Sequence, residues 1–402
     1  MVRRENQKDK CVTTEPPTFS PAGPSFPIDL GSIRNMIQYR FTLLDAYIDV
    51  NGLPTFVVAK EPVKEKFREL LHDLANHNLM AKITSVSDKL VVSVFPKPNL
   101  RRPRKRTNLI LFLATIGTVL VFGYTSMFSV SVYGFTLSKV DPRLTEALFG
   151  NSSLLSQVVL LAAGIVGIAG VHELGHVIAA RHHKMDATLP YFIPVPPPFP
   201  FGTFGAVINL RAPPINRDQL FDLGFSGPLA GFLATIGVVI IMILTAPIIT
   251  EQQAAPLIAA KVLQATSWPY EPYLFDLLNQ IVVRTVPNGD VLVYTQLEIA
   301  AEFGALITFL NLLPVWQLDG GHISRAVFGD KGHKATALVG FAILVLAGYW
   351  GFAILLVIFM FLSRRPLEGL EPLDDISPLS NVRKALFGLS LLMLVLCLFV
   401  IF

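Results

Sequence analysis

The chain has 402 residues, 52% of them hydrophobic and 15% charged, with a mean hydropathy of +0.54. Soluble domains carry about a quarter charged residues, so this deficit, with its long uncharged apolar runs, excludes a soluble class and places the chain in a bilayer. Its two cysteines, Cys11 in a polar tail and Cys397 in an apolar run, make neither a disulfide framework nor a thiolate metal site.

The net charge of +4 is unevenly spread, because residues 1–106 hold 18 Lys/Arg against 11 Asp/Glu. Residues 1–27, rich in Pro, Ser, Thr and charge, are expected to form a disordered tail. The first hundred residues are polar and mixed in charge, so no cleavable signal peptide is expected and the first apolar span acts as its own anchor. Residues 28–98 read as a small cytosolic α+β module. Phe41–Val50 and Pro54–Ala59 have strand character around the turn chemistry of Asn51-Gly52. Over Pro62–Asn76, Val63, Phe67, Leu70, Leu71 and Leu74 recur at helical spacing, and strands Ala81–Val86 and Lys89–Phe95 follow. The β-β-α-β-β pattern carries no recognisable site. The block Arg101-Arg102-Pro103-Arg104-Lys105-Arg106 abuts the first apolar run. There it reads as a stop signal touching anionic lipid rather than as a nucleic-acid patch, and no nucleic-acid partner is expected.

Charge-free stretches mark a transmembrane domain over 107–402: Thr107–Leu137, Ala147–Val171, Leu223–Thr250, Phe303–Leu318 with a start near Leu297, Ala335–Ser363 and Ala385–Phe402. As one helix, Ala335–Ser363 measures about 44 Å against a hydrocarbon core of about 30 Å. Gly348-Tyr349-Trp350-Gly351 at its centre predicts two short helices and a tight turn. With the N-terminus in the cytosol, seven spans then place Arg181/Lys184, Arg325/Lys331/Lys334, Arg364/Arg365 and Arg383/Lys384 inside, as the positive-inside rule requires. The expected fold is a polytopic α-helical membrane protein of about seven transmembrane helices.

His172-Glu173-Leu174-Gly175-His176 is an H-E-x-x-H motif at the end of the second span. Positions i and i+4 of a helix share a face, so both imidazoles reach one metal ion, and Glu173 stands beside it as a candidate base. Histidines at a helix end are also found as harmless interfacial residues, but ionisable groups in an apolar span are costly and functional by default. A catalytic zinc needs a third protein ligand. Asn311-Leu312-Leu313-Pro314-Val315-Trp316-Gln317-Leu318-Asp319-Gly320-Gly321 ends the fourth span, and the charge count puts Asp319 on the same membrane side as the histidines. Aspartate before two glycines is also ordinary turn chemistry.

Paired in one chain, H-E-L-G-H and N-x-x-P-x-x-x-L-D-G resemble the site-2 protease family of intramembrane metalloproteases, over roughly residues 107–384. Gly224-Phe225-Ser226-Gly227-Pro228-Leu229-Ala230-Gly231 is similar to the small-residue motif of the family's third core helix, and small residues suit close packing. The N-terminal module and Arg365-Pro366 with Pro372-Leu373-Asp374-Asp375 resemble an archaeal, cyanobacterial and plastid subgroup, and no PDZ-like insertion is visible. The resemblance implies His172, His176 and Asp319 as ligands of Zn2+, Glu173 as general base, and Asn311 as a residue holding substrate or the oxyanion. It implies membrane-protein substrates with a transmembrane helix, and an active site near the cytosolic side of a multi-pass protein.

Pro190–Leu210 holds six prolines and then Gly202–Leu210. An ordinary cytosolic loop is one reading, and the favoured one is a re-entrant β-hairpin near the active site, similar to an element of the family, whose edge at Gly205, Ala206 and Val207 pairs with extended substrate. His182 and His183, flanked by Arg181 and Lys184, read as a solvated face, and Glu298 and Glu302 as an interfacial acidic face. A membrane metal transporter and an inactive membrane scaffold are the competing readings. Glu173 speaks against the transporter, since transport needs no general base, and the intact Glu173 with the full ligand set speaks against the scaffold.

Overall fold

The computed structural model describes residues 28–86, 88–97, 105–128, 130–132, 135–137, 154–197, 199–208, 210, 212–259, 271–282, 285–287, 289–293, 296–362 and 370–398. The expected tail at 1–27 and the charges Arg101 to Arg104, Arg364 and Arg365 lie outside the described residues. The chain divides into two compact units, Met1–Lys97 and Pro98–Phe402.

In the first unit, helix α1 (Leu30–Arg40) precedes strands β1 (Leu43–Ile48) and β2 (Pro54–Val58), helix α2 (Lys64–Ala75), and strands β3 (Leu79–Val86) and β4 (Lys89–Pro96). The sheet is antiparallel with order β1-β2-β4-β3. Gly52 at φ 75° makes the first turn, and Asp49 Oδ1 accepts from the backbone N–H groups of Asn51 and Leu53, both at 2.8 Å. Phe67, Leu70, Leu71 and Leu74 form the buried stripe of α2, as their spacing predicts. Helix α1 has no counterpart in the sequence reading. It is capped by Asp29, whose carboxylate accepts from the Ser32 N–H at 2.8 Å, and buries only Ile33 and Ile37.

The second unit is helical. Helices α3 (Lys105–Phe128), α4 (Leu154–His182) and α5 (Arg217–Thr245) include the three described helices long and apolar enough to cross a membrane. Between α3 and α4 lie the short strands β5 (Val130–Val132) and β6 (Phe135–Leu137). The hairpin β7 (Tyr191–Pro194) and β8 (Thr203–Val207) separates α4 from α5. Further on come β9 (Ile248–Ile249), α6 (Glu251–Ala259), α7 (Tyr273–Ile281), β10 (Val291–Leu292), α8 (Gln296–Leu312), α9 (Asp319–Leu346), α10 (Trp350–Leu362) and α11 (Asn381–Leu396).

The 335–363 stretch breaks where its length demanded, α9 closing at Leu346 and α10 opening at Trp350, with Gly348 at φ 88°. Gly329, at φ 70°, adds a kink inside α9 that the sequence reading does not anticipate. Helix α4 runs six residues past His176, so H-E-x-x-H lies within the helix rather than at its end. Helix α5 begins at Arg217, six residues before the charge-free stretch, because its early acids are paired. Asp218 and Asp222 both face Arg383, with Arg383 Nε donating to Asp222 at 2.7 Å.

Candidate metal centre

Helices α4, α5, α8 and α9 converge on three donor atoms. His172 Nε2 lies 3.2 Å from Asp319 Oδ2, His176 Nε2 lies 3.3 Å from the same oxygen, and the two Nε2 atoms are 3.2 Å apart. Both histidines are buried, at 1% and 6% exposure. His176 Nδ1 stands 2.8 Å from the Leu223 carbonyl, which can only accept, so this nitrogen carries the proton and Nε2 keeps its lone pair toward the triangle. Two imidazole nitrogens and a carboxylate oxygen this close together in a buried site, with His172 Nδ1 left without a partner, suit a cation between them. Ligands about 2.0–2.1 Å from a tetrahedral zinc ion stand roughly 3.3–3.4 Å from one another. The triangle matches that spacing, and two imidazoles with one carboxylate form a three-ligand set with a fourth position open. The residues fit zinc.

Glu173 is buried at 5% exposure, and its Oε2 has no hydrogen-bond partner. One of its oxygens also lies within 4.8 Å of a nitrogen on each histidine, which makes His172, Glu173 and His176 a looser candidate group for an ion. The shorter distances belong to Asp319, which leaves the Glu173 carboxylate beside the triangle rather than in it. Asn311, in the last turn of α8, holds its side-chain amide nitrogen 3.3 Å from His172 Nε2 and so reaches the same space.

Local sequence explains how these groups meet. Gly224, Gly227 and Gly231 form one face of α5 at spacings of three and four. A Cβ added at Gly227 would stand 2.1 Å from His176 Nε2, and one at Gly231 would stand 2.9 Å from His172 Nδ1. At Gly224 it would meet the Asp319 carbonyl at 2.6 Å, and at Gly175 of α4 the Ser226 carbonyl at 2.4 Å. Pro228 lacks the N–H that would bond the Gly224 carbonyl, so α5 runs on through this point with one backbone hydrogen bond missing where α9 approaches. After α8 the chain turns through Pro314 and Trp316, the latter at φ 46°. Gly320 packs on this turn, where a Cβ would lie 2.0 Å from the Leu312 carbonyl. That contact delivers Asp319 as the first residue of α9.

The hairpin residues occupy strand β8. Ala206 pairs with Phe192 and Val207 with Tyr191, and the other edge of β8 pairs with no strand among the described residues. Gly205, at φ 86°, is buried against Ile307 of α8, one helical turn before Asn311. Val207 is 54% exposed.

Several polar residues differ from the sequence reading. His183 is not solvated, because its Nε2 lies 2.7 Å from Asp222 Oδ2, while His182 is exposed. Glu298 and Glu302 are half-buried, one turn apart near the start of α8. Arg325, buried at 3% exposure, donates twice to Asp375, at 2.9 and 2.8 Å, and Arg217 Nε donates to Asp375 at 3.0 Å. The Leu373 and Asp374 N–H groups bond the carbonyls of Pro214 and Ile215. The segment around Asp375 thus ties the start of α5 to α9, the two helices that frame the donor triangle. Its acidic pair was visible in sequence, but its partners lie 50 and 158 residues away.

Residues 160–347, which contain the whole donor set, match the family model described as Peptidase family M50. The protein named "Probable zinc metalloprotease EGY1, chloroplastic" from Arabidopsis thaliana is 30% identical over 309 residues, 72% of this chain and 52% of its own length. "Probable zinc metalloprotease EGY2, chloroplastic" from Oryza sativa subsp. indica is 28% identical over 306 residues, 73% of this chain and 51% of its own length. From the same subspecies, "Probable zinc metalloprotease EGY3, chloroplastic" is 24% identical over 325 residues, 75% and 51% of the two chains. The chain spans about half the length of the curated relatives it matches. No solved structure matches. The segment that carries both motifs is thus similar to peptidase family M50, the family of the site-2 proteases.

Proposed function

We propose that the chain is an intramembrane zinc metalloprotease that hydrolyses peptide bonds in or next to transmembrane segments of other membrane proteins. The observation that carries this reading is the donor triangle of His172, His176 and Asp319 with the uncommitted, buried carboxylate of Glu173 at its side. A zinc ion held there supplies Lewis acidity, polarising the scissile carbonyl and acidifying a water molecule. Glu173 takes the proton from the attacking water and then delivers it to the leaving amine, a transfer typically worth 10²–10⁴-fold in rate. Asn311 donates its side-chain N–H to the carbonyl oxygen as charge builds there. His176 is kept in one tautomer and orientation by the Leu223 carbonyl.

A transmembrane helix shields its peptide bonds within its own hydrogen bonds, so substrate must unwind locally before attack. The open edge of β8 over Gly205, Ala206 and Val207 offers an unwound segment backbone partners, chiefly at Ala206 and Val207 because the Gly205 N–H is taken by the Thr203 hydroxyl. Non-helical backbone at membrane depth is tolerated where protein covers it, which suits a re-entrant hairpin packed on Ile307. The proposal includes seven spans, a cytosolic N-terminus with the 28–98 module on that side, and an active site near the cytosolic face. Arg217 and Arg325 share Asp375, and Arg383 and His183 share Asp222, which supports a common side for the segments within each group.

The test is cleavage of single-span membrane proteins by purified enzyme in detergent or proteoliposomes. Activity is expected to vanish with a zinc chelator and to return with added zinc. Cleavage that persists undiminished after complete metal removal would end the metalloprotease reading, and metal flux in vesicles without cleavage would favour a transporter.

A further inference from the structure

Helix α3 meets the β7–β8 hairpin along one face. Near its start, the Asn108 side-chain amide donates to the carbonyls of Leu189 at 2.8 Å and Pro190 at 2.9 Å, immediately before β7. Carbonyls only accept, so both amide protons are committed to this end of the hairpin and the orientation of the amide is fixed. Ten residues and about 15 Å further along the helix, Thr118 Oγ1 lies 2.7 Å from the Gly202 carbonyl. The Ala114 and Thr115 carbonyls of its own helix are farther, at 3.2 and 3.0 Å. One hydroxyl proton serves one acceptor at a time, and the shortest distance is to the hairpin.

The packing follows the same face. Phe112 sits on Phe192 with ring centroids 5.0 Å apart, and Phe122 on Phe201 at 5.8 Å. Gly202 has φ +69°, and a Cβ there would lie 2.6 Å from the Thr118 carbonyl, so only glycine permits the approach. From Gly202 the order passes into β8. The Thr203 hydroxyl donates to the Ile193 carbonyl at 3.0 Å and accepts from the Gly205 N–H at 3.0 Å.

We propose that Asn108 and Thr118 are positioning residues for substrate: from α3 they hold both ends of the hairpin, and so set where the edge Gly205–Val207 stands for an incoming strand. Helix α3 is then part of the substrate-aligning apparatus rather than an anchor alone. The inference rests on the protease reading above.

The experiment compares full-length wild type with Thr118→Val, Thr118→Ser and Asn108→Ala, using a single-span substrate that wild type cleaves. Thr118→Val keeps the shape and loses the donor, so KM is expected to rise roughly three- to tenfold, the equivalent of one hydrogen bond. Its kcat is expected to stay within about twofold and its zinc content unchanged, and Thr118→Ser is expected to restore KM. In substrate-free protein, amide exchange over 203–207 is expected to quicken in Thr118→Val and Asn108→Ala while exchange over 165–176 does not. An unchanged KM in Thr118→Val, or unchanged exchange in the hairpin, overturns the proposal. So does a joint loss of kcat and zinc that serine fails to rescue, since that marks a general folding defect. If wild type cleaves no substrate at all, the protease reading fails instead, and the exchange measurement still decides whether α3 holds the hairpin.

Discussion

Gly227 of α5 lies against the imidazole of His176 so closely that a Cβ at that position would stand 2.1 Å from Nε2. The ring has no free direction in which to yield. Its Nδ1 is held by the Leu223 carbonyl, and its Nε2 belongs to the donor triangle. Gly227→Ala is therefore expected to displace a ligand rather than merely tighten a helix contact. Metal analysis of purified protein should show zinc affinity lower by at least roughly tenfold, the scale at which disturbed ligand support acts. Gly231→Ala, whose Cβ would meet His172 Nδ1 at 2.9 Å, should be milder. A Gly227→Ala protein with full zinc occupancy would contradict the close approach.

The same face shows how much of the site was legible in the sequence. H-E-x-x-H spacing predicts one shared helix face, and the two Nε2 atoms do lie 3.2 Å apart. The break in 335–363 followed from length and a glycine pair. Features that depend on distant partners were not legible. Scanning for charge-free residues starts the third span at Leu223, whereas α5 starts at Arg217, since Asp222 is paired by Arg383, 161 residues on. His183 looked solvated between Arg181 and Lys184 because nothing local announces Asp222. Helix α1 had a readable signal both in Asp29 and Ser32, the capping pair, and in Leu30, Ile33 and Ile37 at helical spacing, and it was overlooked rather than illegible.

Arg325 and Asp375 test whether the C-terminal segment holds the helices around the site. Arg325 is buried, and Asp375 takes its fork through both oxygens. Asp375→Asn leaves the guanidinium buried without its counter-charge, which costs about 3 kcal/mol at such sites. Thermal unfolding in detergent should show the loss. The pair Arg325→Met with Asp375→Leu should recover part of it, because an apolar contact of similar volume needs no desolvated charge, while Arg217 loses its bond to Asp375 but is partly exposed to solvent. Equal stability of Asp375→Asn and wild type would mean that the fork is screened by solvent.

The first unit is expected to lose stability in acid. The Arg40 guanidinium donates to Asp73 and holds its carboxyl below the usual range, and the Lys66 ammonium does the same for Glu61. Carboxyls depressed on folding stabilise the fold above their unfolded value of about 4, and the contribution fades as pH falls through the lower folded value. Urea midpoints of a 28–97 fragment should be flat from pH 5 to 7 and drop below about pH 4. Both groups are close to solvent, so the drop is modest. Arg40→Met should flatten it further, and an unchanged acid slope in that variant would remove Asp73 from the account.

Neighbouring residues at the metal centre are expected to fail in different ways. Asp319 supplies an oxygen 3.2 and 3.3 Å from the two histidine nitrogens, so Asp319→Ala removes one apex of the triangle. Zinc occupancy and cleavage should fall together. Glu173 stands beside the triangle with an unpartnered oxygen, and Glu173→Gln keeps its size and hydrogen-bonding capacity while removing the base. Purified Glu173→Gln protein should hold about one zinc per chain, as a three-ligand site does. Its cleavage rate should fall at least roughly a hundredfold, the lower end of what a general base contributes. Because binding is untouched, the variant should retain substrate, and crosslinking from a residue near β8 should capture it uncleaved. The looser grouping that includes Glu173 as a ligand makes the opposite forecast, in which Glu173→Gln loses zinc as fully as Asp319→Ala does. Metal content measured on the two variants side by side separates these cases before any activity is assayed. Retained zinc with undiminished cleavage would sink Glu173 as the base and leave the proton transfer to another group.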